Sequence, residues 1–474
     1  MGGIEGEIRV WVMPPDKYRL EFKSPAISIT RGFDGQLAWE RDQNGRVLEL
    51  SGLERELVEK SAYFESFSYM IPDRMKGSRD YKGVLRRRGH TYHVVQLVPG
   101  NGDTSWSYLD VLTGLCDVTE TRLRDDLVTT TMTDYRSVSG ILVPFFVRDT
   151  INGMPGSSLV LLEQADINLT VDPVIFTRPE LGPRDFHFPA DVASVTIPFS
   201  FVDSHIFVRA TLNGKVTVYL LLDSGASGNI YYRPTVESLD LPITGYLPVR
   251  GVAADDSIGL VVVDSVQVGE LLLYHQVAGM MEESPIGLVN MENAKFGGVL
   301  GFDFLSRFPI RIDYEKYELT VFNPDQFVLP VGGVEIQFRF ETKVPTVTAE
   351  IAGVSGDFIL DLGNAIGLVL HDDFVQGNDL ESRLLNIHEL SGAMLGVGGA
   401  TTMRGATAPS VMFGGVQLGE TPVFLPQSAG GISASTRIDG NIGNPVLERF
   451  TVLLDYQRNR VVLYQPGGAK SSGD

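Results

Sequence analysis

Short runs in which apolar and polar residues alternate fill nearly the whole chain, which is the period of a strand with one face buried. EIRVWVM (7–13), YRLEF (18–22), RVLEL (46–50), YHVVQLV (92–98) and SLVLLEQADINLTV (158–171) are of this kind, punctuated by Gly, Asn, Asp and Pro. One stretch in the first third breaks the pattern: GLERELVEKSAYFESFSYM (52–70) carries helical spacing. A second break comes at VDPVIFTRPELGPRDFHFP (171–189), with four prolines and no clean period, and it reads as a linker.

Beyond this linker the strand pattern repeats. IPFSF (197–201), VRATLNG (208–214), VYLLLDSGASGNIYY (218–232), VQVGE (266–270), GGVLGFDFLSRF (297–308) and IDYEKYELTVFNP (312–324) form one series. IQFRF (336–340), VTAEIAG (347–353), DFILDLGNAIGLVLH (357–371), VQLGE (416–420), DGNIGNPVLERF (439–450) and LDYQRNRVVLYQP (454–466) form another in the same order. Length differences fall between the blocks, where loops absorb them. The expectation is a duplicated β domain.

Within each copy an apolar strand runs into an acid, one further residue and a glycine: Asp223-Ser224-Gly225 and Asp361-Leu362-Gly363. An aspartate at the end of a buried strand is costly to desolvate unless backbone amides bond it, and the glycine allows the tight turn that presents them. Two copies related by a pseudo-twofold axis can bring these turns face to face. Carboxylates meeting there cannot both ionise easily, so they share a proton. One then serves as base toward water and the other as acid toward a carbonyl, which hydrolyses an amide without metal or cofactor. Asp223 alone would read as ordinary turn chemistry; the repeat favours the catalytic reading. For Asp361 the bland alternative is a pseudo-enzyme half that only supports the other copy.

These residues resemble the retropepsin and pepsin class of aspartic proteases, and in particular bacterial retropepsin-like domains. Asp223-Ser224-Gly225, preceded by Leu220, Leu221 and Leu222, matches that class's Asp-Thr/Ser-Gly signature. Val299-Leu300-Gly301 and Asn441-Ile442-Gly443 resemble its hydrophobic-hydrophobic-Gly element, with Asn441 a departure. GVAADDSIG (251–259) and GVGGATTMRG (396–405) fall where the class has substrate-covering flaps, so Gly251, Val252, Gly398 and Gly399 are candidate substrate-binding positions. Leu362 departs too: the class places a hydroxyl there that bonds across the axis, so packing or the loop's own backbone must fix the second turn. The N-terminal third is similar to lipoprotein-carrier-like β domains in PPDKYRLEF (14–22), GFDGQLAWERDQNG (32–45) and YLDVLTGL (108–115). That resemblance implies a half-open curved sheet able to hold an apolar or lipid-like ligand, and the bacterial relatives imply a periplasmic or secreted protein.

Composition narrows the alternatives. Acidic residues outnumber basic ones 59 to 39, a formal charge of -20, and no Lys/Arg cluster with interleaved aromatics offsets it, which disfavours nucleic acid and anionic lipid as partners. With Cys116 as the one cysteine there is no intrachain disulfide or Cys-rich metal site. His90 and His93 would lie on opposite strand faces, as ordinary edge histidines rather than metal ligands. No apolar run approaches the ~20 residues of a membrane span. The first residues lack a basic region followed by an apolar one, so no signal peptide is visible in them, which is compatible with a mature or truncated form and with export.

The expected protein is therefore all-β. Residues 1–172 form a curved antiparallel domain, 173–190 a linker, 191–328 and 329–467 two retropepsin-like barrels making an intramolecular pseudo-dimer, and 468–474 a tail. Asp223 and Asp361 are the expected catalytic pair, with Ser224, Gly225 and Gly363 in the active-site loops. The substrate is an extended polypeptide bound by added-strand pairing, no metal or cofactor is required, and a monomer suffices. Two rivals stand beside this: a non-catalytic binding or scaffold protein with a degenerate protease-like half, and a protease whose repeats pair with those of another chain.

Overall fold

The computed structural model describes residues 3–25, 27–71, 75–100, 102–123, 126–152, 156–180, 184–250, 255–282, 295–396, 399–427 and 438–466. Strands take up 54% of the chain and helix 12%, which makes the protein all-β.

The N-terminal strands follow their sequence order in two antiparallel meanders. Glu7–Met13, Lys17–Lys23, Ser28–Phe33, Ala38–Arg41 and Val47–Glu49 form a five-stranded sheet. The helix Gly52–Glu65 covers it, setting Val58 and Ala62 against Tyr18, Phe33 and Ala38. Seven further strands, from Gly77–Arg87 to Ser158–Leu161, make the second sheet.

The proline-rich segment after these sheets is tied to both sides of the molecule. Phe176 is fully buried, and its carbonyl accepts a 2.8 Å bond from Trp39 Nε1 in the first sheet. Ten residues on, the short strand Phe186–His187 adds to Leu271–Met281, and the Phe186 ring meets Phe308 edge-on at 4.8 Å.

From residue 194 onward two sets of pairings run in parallel. Val216–Leu222 pairs in parallel with Phe296–Leu300, which pairs antiparallel with Ile230–Tyr232. Later, Val354–Asp361 pairs in parallel with Gly440–Gly443, which pairs antiparallel with Leu368–Leu370. The hairpins that lead into the two Asp-x-Gly turns are closed by left-handed residues, Asn213-Gly214 and Ala352-Gly353, the backbone that matches strand twist.

A six-stranded antiparallel array joins the two sets, in the order Ser194–Val202, Glu318–Phe322, Ile310–Asp313, Thr451–Asp455, Arg460–Tyr464, Val334–Gln337. At its centre Arg311 faces Leu453, flanked by Ile310 with Leu454 and Ile312 with Val452. Ile312 and Leu454 hold the same place in the two sequence series, so Arg311 is paired with its own counterpart and the local twofold axis of this ladder relates matching residues. One apolar core spans the junction, from Val195 to Leu463.

The N-terminal sheets are bolted to this core by the turn at 42–46. Asp42 Oδ1 accepts the amides of Asn44 and Arg46, which shapes the turn. Asn44 then donates to Asp303 Oδ1 (2.8 Å) and accepts from Val277 N (2.8 Å). Arg46 bonds Ser306, and buried Glu40 pairs with Lys343 at 3.2 Å.

Candidate active site

Each Asp-x-Gly turn sits at the end of a strand whose last residues are buried. Leu220 and Leu222 are fully enclosed, and Asp223 N–H donates to Leu300 O at 3.0 Å. Phe358 and Leu360 play the same part before Asp361. In both turns the glycine amide reaches back to the aspartate: Gly225 N to Asp223 Oδ1 at 2.7 Å and Gly363 N to Asp361 Oδ1 at 3.0 Å.

The two turns face one another, with the Asp223 and Asp361 side chains in hydrogen-bonding contact. Their closeness explains the glycines. A Cβ on Gly363 would lie 2.5 Å from Asp223 Cγ, and one on Gly225 would lie 2.6 Å from Asp361 Oδ1. Any side chain there would push the carboxyls apart.

A single hydroxyl bridges the turns. Ser224 Oγ donates to Leu360 O (2.6 Å) and accepts from Leu362 N (2.9 Å). Leu362 itself is fully buried, and its backbone is held on both sides by side chains of other segments rather than by its own loop. The partners are Ser224 and a residue that sequence reasoning passed over: Asn444 Nδ2 donates to Leu362 O (2.6 Å) and to Ser204 O (2.8 Å), while its Oδ1 accepts from Tyr314 (2.7 Å).

The electrostatics of the pair are unequal. Burial, and then the neighbouring Asp361, push Asp223 up to about 8. Burial also raises Asp361, but Asn441 Nδ2 donates to its Oδ2 at 2.7 Å and, with the Gly363 amide, holds it back. The proton of a singly protonated pair therefore belongs on Asp223, with Asp361 as the carboxylate. His205 lies near enough for its charge to be felt at Asp361, and its Nδ1 is buried with no partner among the described residues. The Tyr456 hydroxyl, also buried and unpartnered among those residues, feels both carboxylates.

Of the candidate flap positions, Gly251, Val252 and Gly398 lie outside the described residues. Gly399 opens the strand Gly399–Ala408, which forms a hairpin with Leu385–Gly396. The corresponding hairpin of the first set joins Tyr246–Arg250 to Asp255–Val268. Asp303 takes no part in the pair; its carboxyl accepts from Asn229 N (2.9 Å) and from Asn44. Away from the site, His90, Asp110 and Asp117 converge on the seven-stranded sheet, although Asp110 Oδ1 is already bonded by the Leu112 and Thr113 amides.

Comparison with known proteins covers part of the chain. The sequence model of a family described as "Aspartyl protease" matches residues 208–304, a span that holds Asp223 but not Asp361. The chain thus contains an aspartic-protease-like domain. Among solved structures, the aspartic proteinase from Irpex lacteus is similar at 13% identity and a TM-score of 0.39, covering 60% of this chain and all of that one. No curated protein matches.

Proposed function

We propose that this chain is an aspartic-type endopeptidase whose catalytic pair is Asp223 and Asp361, supplied by two duplicated halves (191–328 and 329–467) of one polypeptide. The observation that carries the reading is the face-to-face contact of two partly buried carboxyls, each pressed against the other turn's glycine. The pairing of Arg311 with Leu453, which holds the matching place in the second series, supports the duplication. Ser224 acts as the bridge that holds the two turns together.

In this mechanism a water molecule lies between the carboxyls. Asp361, ionised, takes its proton as the oxygen attacks the peptide carbonyl carbon, while Asp223 gives its proton to the carbonyl oxygen. When the resulting gem-diol collapses, the C–N bond breaks. The amine leaves with the proton held by Asp361, and a diol hydroxyl returns one to Asp223. No net charge is created, which suits a pair that cannot ionise twice. The two long hairpins offer edges for pairing with an extended polypeptide, and residues 1–172 serve as an attached β domain that recruits or holds substrate. Export from the cell belongs to the same proposal, on the resemblance of the sequence to bacterial relatives.

The test is incubation with an unfolded protein between about pH 3 and pH 8, with and without a statine-containing peptide that mimics the gem-diol. Internal cleavage suppressed by the peptide is expected. Absence of cleavage across that range, or cleavage indifferent to the peptide, contradicts the proposal.

A further inference from the structure

Beneath Asp361 runs a polar chain that has no equivalent beneath Asp223 among the described residues. Asn441 Nδ2 donates to Asp361 Oδ2 at 2.7 Å. The other end of the amide, Oδ1, stands 3.0 Å from His371 Nε2, and His371 Nδ1 stands 2.8 Å from the carbonyl of Ile438. His371 is 1% exposed, so these contacts are sheltered from competing water.

Strand pairing identifies the matching positions in the first set. Val369 faces Asn441 across its ladder as Ile230 faces Val299 across the other. Val299 thus stands where Asn441 stands, and Tyr232 where His371 stands. Val299 has neither donor nor acceptor, so the two aspartates are treated differently by their own strands.

We propose that Asn441, oriented by His371, is a positioning residue that keeps Asp361 as the ionised member of the pair and so leaves the shared proton on Asp223. The inference rests on the peptidase reading for its catalytic meaning, but the brace itself is a property of the folded chain. Its logic is one of donors. Nδ1 against a carbonyl oxygen must donate, so a second proton on Nε2, donated to Oδ1, makes His371 an imidazolium. Burial lowers its pKa, so the brace acts on the acid side of that titration, where the amide is left with Nδ2 toward Asp361. A bare Nε2 would instead draw Nδ2 to itself and present Oδ1 to Asp361, which favours the protonated carboxyl. The other titratable groups felt at Asp361 are Asp223 from the facing turn, His205 at the start of the strand His205–Leu212, and Tyr456 from the turn after Thr451–Asp455. None of these replaces the lost donor.

The experiment follows the Asp361 carboxyl carbon by NMR in aspartate-labelled full-length protein, its signal assigned by its loss in Asp361→Asn. Asn441→Val installs the side chain that the first set already carries at this place. A bond from a neutral donor to a carboxylate corresponds to a rise of about one pH unit in the Asp361 midpoint when it is removed. The acid limb of kcat/KM for peptide cleavage moves by the same amount. His371→Leu, which frees the amide to turn, raises the midpoint in the same direction, and His371→Gln restores part of the shift. Should Asn441→Val fail to give a cooperative thermal melt, the His371 pair carries the test. An Asp361 midpoint that is unchanged or lowered in these variants overturns the proposal, even if cleavage falls, because a merely structural loss lowers activity without moving a titration. If no protein preparation cleaves peptide, the peptidase reading fails while the carboxyl titration still decides the brace.

Discussion

At the scale of single residues the site depends on one hydroxyl and one proton. Ser224 Oγ satisfies both Leu360 O and Leu362 N across the junction. Ser224→Ala leaves both buried groups unpaired, at a cost of about 1–3 kcal/mol, read as a lower midpoint in urea; Ser224→Thr, which keeps the hydroxyl, is expected to retain most of it. The proton gives a second prediction. Burial, with Asp361 beside it, pushes folded Asp223 up to about 8 from an ordinary 3.8, so between those values the folded pair holds a proton that the unfolded chain has released. The associated stability is complete below the ordinary value and is lost as pH rises toward 8. Asp223→Asn removes this loss, so its melting temperature relative to wild type should climb steadily from about pH 4 to pH 8. A difference that stays flat with pH contradicts the buried, protonated Asp223.

At the scale of elements, strand-and-turn pairs bring the carboxyls together, and the glycines set how closely. Gly363→Ala places a methyl 2.5 Å from Asp223 Cγ. A shift of about 1 Å in a reacting group costs ~100-fold in rate, so kcat/KM should fall by about that factor while the protein still folds; full activity would show that the turns do not need this approach. Much of this level is legible in the sequence. Alternating runs give the strands, 52–70 contains the helix Gly52–Glu65, and the recurrence of Asp-x-Gly after apolar strands marks the two turns before any coordinates are known. Asn441 also stands out, as a polar residue where an apolar one is expected, although nothing local says that it reaches Asp361. His371, Asn444 and Tyr314 are invisible for the same reason. Their roles come from contacts with residues far away in the chain, and a lone His or Asn near a strand end has many ordinary uses.

At the scale of the whole molecule, the question is whether the N-terminal sheets are an appendage or part of the body. Proline content alone marks 171–189 as a break, yet Phe176 is buried beneath the first sheet and Phe186 lies on Phe308. The turn carrying Asn44 reaches both Asp303 and Val277, 259 and 233 residues away in sequence, and no pattern in either segment announces that pairing. Calorimetry should therefore show the five-stranded sheet melting together with the paired halves. Asn44→Ala, which strands Asp303 Oδ1 and Val277 N–H, should separate off an earlier transition or lower the shared one. A trace identical to wild type would make the 42–46 turn a passive contact.

The account as a whole requires both carboxyls from one chain. The direct measurement is the rate at which Asp223→Asn and Asp361→Asn, each confirmed as folded and monomeric, cleave an unfolded protein at the pH where the wild-type chain is fastest. Loss of an acid or base from the pair is expected to reduce the rate by at least about 100-fold in each variant. Full activity in either one would contradict the shared-proton pair.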